Sequence, residues 1–172
     1  MTDVLTEEIT DQDVPEIPEY LEKVLIMALD EGKAKIEAGE LLVPFTALAI
    51  KENLFIESHP GDDAQECFDA AERVVAGARG ATAYAFCYDG FVETDDGDLD
   101  CVIAEGGIPG EDDGYAIGYI YKLNEDGTAT VEDEPVFVGD APNFMMNLKD
   151  ASEYSDDEVE SRYLDGEGFD EE

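Results

Sequence analysis

Starting at Tyr20, apolar residues recur three and four apart, and Tyr20, Leu21, Val24, Leu25 and Ala28 fall on one helical stripe. Pro15 and Pro18 stand where helices begin and Gly39 where they stop, so the spacing predicts a helix from Pro18 to Ala38, weakened at Gly32. Leu41 to Ile50 is a β-rich apolar run. A polar break at Lys51-Glu52-Asn53 separates it from Leu54 to Glu57, and the pair predicts a hairpin. Pro60-Gly61-Asp62-Asp63 supplies a turn and capping acids for a second helix over Ala64 to Ala78. Its stripe is Cys67, Phe68, Ala71, Val74, Val75 and Ala78.

From Ala81 the period becomes two. Tyr84, Phe86, Tyr88 and Val92 alternate with Ala83, Ala85, Cys87 and Phe91, and the Asp-Gly pair in Asp95-Asp96-Gly97-Asp98 marks a tight hairpin. If residues 95 and 98 close that turn, Val92 faces Cys101 and Tyr88 faces Glu105. A third strand, Tyr115 to Leu123, sets Tyr115, Ile117, Tyr119 and Tyr121 against Ala116, Gly118 and Ile120 on the reverse. Thr128 to Val131 and Pro135 to Val138 read as shorter strands after the turn at Asn124-Glu125-Asp126-Gly127.

The predicted fold class is therefore α+β: an antiparallel sheet of about five or six strands, in the order helix, hairpin, helix, meander. Both helices are expected on the small-residue face. The opposite face is expected to gather Tyr84, Phe86, Tyr88, Tyr115, Tyr119 and Tyr121 as a protein-contact surface, because exposed aromatic patches usually mean contact. The order of elements resembles that of roadblock and longin domains and, more loosely, of type III secretion chaperones. No residue motif accompanies the resemblance, which implies a fold and no function.

The flanks differ in composition. Residues 1–14 read as a flexible acidic arm, 15–149 as one α+β domain, and 150–172 as an acidic segment. In that last segment Ser155-Asp156-Asp157-Glu158 has a capping-box pattern, Val159 and Tyr163 lie four apart on a short helix, and Gly166 ends it. Phe169 stands in the tail beyond. Val159, Tyr163 and Phe169 are the candidate tail contacts.

Charge narrows the function classes. The 172-residue chain carries 46 Asp and Glu against 9 Lys and Arg, a net charge of −37. On roughly 8,000 Å² of surface the acids lie about 13 Å apart, a repulsion that physiological salt tolerates and brine nearly abolishes. Acids spread along the whole chain predict adaptation to high salt. They also argue against direct binding to nucleic acid or anionic membranes, and favour a basic protein partner or self-association. The opening residues, Met1 to Glu8, have no basic or apolar export pattern, and no apolar run is long enough to span a membrane, so a cytoplasmic location is expected.

Catalytic sets are hard to find. His59 is the one histidine, and it precedes Pro60 at a strand end, where a structural role is expected. Cys67, Cys87 and Cys101 have neither metal-like nor paired spacing and read as reduced, buried thiols. The loop Gly106-Gly107-Ile108-Pro109-Gly110 is followed at once by Glu111, Asp112 and Asp113, which repel phosphate. Calcium-loop alignments on Gly97 and Gly127 fail at the leading ligand, where Val92 and Lys122 stand. No catalytic residue, cofactor or metal site is expected. The reading is a non-enzymatic protein-binding module: an adaptor, an immunity-like protein or an assembly component. Its alternatives are a DNA-mimic inhibitor of a basic nucleic-acid-binding protein and a metal-dependent hydrolase built from carboxylates alone.

Overall fold

The computed structural model describes residues 17–50, 53–95, 97–150 and 153. The arm at residues 1–14, and Val159, Tyr163 and Phe169, lie outside them. Two helices, α1 (Glu19–Glu37) and α2 (Ala64–Ala76), accompany seven strands: β1 (Phe45–Ile50), β2 (Asn53–Ser58), β3 (Ala81–Thr94), β4 (Gly97–Gly107), β5 (Asp113–Leu123), β6 (Ala129–Val131) and β7 (Val136–Pro142).

Both helices end where local chemistry stops them. Gly39, at φ 77°, follows the last turn of α1, and Gly39 and Glu40 donate their N–H groups to Ile36 and Lys35, satisfying carbonyls that the helix leaves unpaired. At the start of α2 the Asp63 side chain accepts from the Glu66 N–H at 2.9 Å, and the Glu66 side chain accepts from the Asp62 N–H at 2.8 Å.

All strand pairs are antiparallel, in the order β2-β1-β3-β4-β5-β6, and β7 joins β5 beside β6. The sheet thus has seven strands rather than about five or six, and both short segments expected after Asn124 form strands, pairing with β5 as β6 and β7. In the β3–β4 hairpin Thr94 lies opposite Gly97 and Tyr88 opposite Ile103. That register is two residues from the expected one. A shift of two preserves which side chains share a face.

The two helices lie on opposite faces of the sheet, not on one. Leu21, Leu25, Ala28 and Leu29 of α1 pack against Ala47, Ala83, Ala85, Cys87, Val102 and Ala104. Ala71 and Val75 of α2 pack with Leu48, Ile50, Tyr84, Phe86, Phe144 and Met145 on the other side. The physical reason is area: β1 and β3 carry apolar side chains in both phases of the pleat, so each face needs its own cover. On the small-residue side α1 comes close. A Cβ added at Gly32 would stand 2.8 Å from Val102 Cγ1 and 2.9 Å from Cys87 Sγ, so the glycine that weakens the helix is what lets it approach.

The expected six-membered aromatic face is divided by the β4–β5 register. Gly106 pairs with Tyr115, Ala104 with Ile117 and Val102 with Tyr119. Tyr119 and Tyr121 therefore join Ala83, Ala85 and Cys87 in the core under α1, with Tyr115 packed against it, whereas Tyr84 and Phe86 lie in the core under α2.

Candidate functional site

Between α2 and the sheet lies a cavity of about 380 Å³. Its walls are largely apolar: Pro44 before β1, Ala64, Cys67 and Phe68 from α2, and Phe86 from β3. Gln65, Tyr88, Asp89 and Glu105 supply its polar atoms. Phe68 meets Phe86 edge to face, with ring centres 6.2 Å apart, and this fixes the aromatic part of the wall.

Glu105 is the unusual member. Alternation along β4 sends Cys101, Ile103 and Glu105 to the α2 face, and Glu105 pairs with Phe86 on one side and Ala116 on the other. Only 6% of the residue is exposed. Tyr88 donates its hydroxyl to Glu105 Oε2 at 2.7 Å, while Glu105 Oε1 is buried without a hydrogen-bond partner. Burial pushes the carboxyl above its ordinary value of 4.5, and the Tyr88 hydrogen bond opposes that rise. Burial and the adjoining carboxylate push the Tyr88 phenol well above its own ordinary range. A carboxylate so placed lacks the partners that normally accompany a buried charge.

The remaining rings serve the fold. Tyr84 is fully buried; its hydroxyl donates to the Pro142 carbonyl at 3.1 Å and accepts from the Phe144 N–H at 3.0 Å, and the two rings stack. Tyr119 donates to Asp30 Oδ1 at 2.9 Å on α1, and the Lys33 ammonium lies 5.3 Å from the centre of its ring. Tyr121 donates to Asp89 Oδ1 at 2.7 Å. Tyr115 is half-buried against the α1 core. Of the six rings proposed as one surface, Phe86 and Tyr88 line the cavity together.

Other candidates resolve simply. His59 is buried, with Nε2 2.9 Å from Thr46 Oγ1. Cys67, Cys87 and Cys101 are free and buried, and burial raises the Cys101 thiol to about 12. Asn143 pins the glycine-rich loop, donating to the carbonyls of Ile108 and Glu111 at 2.8 Å each. Among the described residues no three His, Cys, Asp or Glu side chains form a metal-holding group, and no helix is long and apolar enough to cross a membrane. A second cavity, about 300 Å³, lies among Tyr20, Thr82, Ile108, Pro109 and Asp150.

The sequence marks Tyr88 as part of the expected aromatic contact face but does not single out Glu105, and the two meet diagonally across the ladder and not as direct partners. One signal was there: Glu105 is the acid that interrupts the apolar run Cys101-Val102-Ile103-Ala104 in a central strand. Comparison with protein-family models, with curated proteins and with solved structures gives no match for this chain.

Proposed function

We propose that the protein is a non-enzymatic binding module whose specific site is the cavity under α2. The observation that carries this reading is Glu105, a carboxyl 6% exposed in an apolar wall with one oxygen lacking a partner. Leaving a buried polar group unmatched costs about 1–3 kcal/mol, more for a charge, and an occupant that donates to it recovers part of that cost. The volume, about 380 Å³, suits a small amphipathic molecule. Binding is favoured over acid–base chemistry because Tyr88 and Glu105 are bonded to each other and burial holds the phenol proton in place. The test is a protein-observed NMR titration with aryl-alkyl compounds bearing positive, neutral and negative heads. Saturable shifts confined to the amides of residues 64–68, 86–89 and 105 are expected; the reading fails if no compound moves them.

A second reading, capture of a basic protein partner, rests on the free end of the β3–β4 hairpin. Phe91 is 55% exposed there, and its face also carries the exposed Glu93, Asp98 and Asp100. An aromatic ring ringed by carboxylates matches a surface that is both apolar and cationic. Phe91→Ser should abolish self-association or partner capture, and unchanged capture would dismiss the hairpin.

A further inference from the structure

We infer that the cavity under α2 selects an organic cation, whose ammonium or guanidinium donates to Glu105 while its apolar body lies against Phe68 and Phe86. The inference rests on the binding reading above and adds the chemical class of the occupant.

Four kinds of occupant compete. An anion meets Glu105 inside and a net charge of −37 outside, and both repel it. A hard metal ion wants six or more oxygens, yet the side chains of the lining offer the Glu105 carboxyl, the Gln65 amide and a phenol already given to Glu105. Asp89 is itself engaged by Tyr121. A neutral donor satisfies Oε1 but leaves the buried charge uncompensated.

A cation does both, and a charge-assisted hydrogen bond is about twice as strong as a neutral one. Small hydrophilic cations such as ammonium would leave Pro44, Ala64, Phe68 and Phe86 against water, so the occupant also needs an apolar body. The field of the whole chain adds a rate advantage by concentrating cations near the mouth, an effect that salt screens.

The test uses the full chain and four probes of matched size: phenethylamine, 2-phenylethanol, propylbenzene and phenylacetate. Phenethylamine is expected to shift residues 64–68, 86–89 and 105 saturably and to bind about ten-fold more tightly than 2-phenylethanol, one charge-assisted bond's worth. Phenylacetate should not bind. Glu105→Gln, which keeps an acceptor for Tyr88, should remove the amine's advantage while leaving the alcohol bound. Amine binding to the cavity should also survive 1 M KCl, unlike diffuse attraction to the acidic surface.

Equal affinity for amine and alcohol, or an amine advantage that persists in Glu105→Gln, overturns the cation inference and leaves the cavity as a binding site. Loss of all cavity shifts at 1 M KCl overturns it too, in favour of surface condensation. Failure of all four probes removes the binding reading along with it.

Discussion

Tyr88 on β3 and Glu105 on β4 lie diagonally across one ladder, and the Tyr88 hydroxyl donates to Glu105 Oε2 at 2.7 Å beneath α2. That bond fixes one carboxylate oxygen and leaves the other buried and unmatched. None of the residues described as lining the cavity is cationic: Gln65 and Cys67 come from α2 and Tyr88 from β3, while the Asp89 carboxylate accepts from Tyr121.

Glu105→Gln should therefore stabilise the fold at neutral pH. The folded carboxyl titrates above 4.5, so the folded state holds its proton more tightly than the unfolded chain does. Stability from Glu105 is fully present below pH 4.5 and is lost as pH rises through the folded value. Urea titrations should find wild type and variant alike near pH 4 and the variant more stable at pH 7, by about 1–3 kcal/mol. A difference between variant and wild type that does not move in the variant's favour from pH 4 to pH 7 would contradict a raised Glu105 carboxyl.

Gly32→Ala should destabilise despite the higher helix propensity of alanine. The new methyl would meet the buried Val102 and Cys87 at 2.8 and 2.9 Å, an overpacking that costs about 1–3 kcal/mol against a propensity gain of about 1. Removing the obstacle should help, so Gly32→Ala should cost less in a Val102→Ala background. Equal cost in both backgrounds would mean that α1 does not owe its position to this contact.

How much of this was legible depends on what each segment's residues specify. The stripe from Tyr20 to Ala28, the Asp63 cap and the alternation of Tyr84, Phe86 and Tyr88 are local signals, and they yield α1, α2 and β3 directly. The turn at Asp95 lies one residue earlier than its Asp-Gly pair suggests, which shifts the register by two, yet the faces survive because the pleat repeats every two. The face of β5 is not legible: Pro109-Gly110 marks a turn, but five residues (108–112) separate β4 from β5 and a link of that length does not set the register, while tyrosine suits a half-wet face as well as a core edge. Glu105 is one of 46 acids, and its place at the end of the apolar run Cys101-Val102-Ile103-Ala104 is the single local sign that sets it apart from a solvated carboxylate.

Tyr84→Phe should expose the second role of the aromatic core. The stacked ring on Phe144 would remain, but the Phe144 N–H would lose its acceptor and the Pro142 carbonyl its donor. A cost of about 1–3 kcal/mol is expected, with faster hydrogen exchange at the Phe144 amide. Unchanged exchange there would show that the ring, and not the hydroxyl, anchors the segment after β7.

The most direct measurement is the ionisation of the Glu105 side-chain carboxyl, followed by ¹³C NMR with and without saturating phenethylamine. The free protein should titrate above 4.5, and the amine should pull the midpoint down because a bound cation favours the charged form. A free midpoint at or below 4.5, or one that the amine leaves in place, would contradict the account.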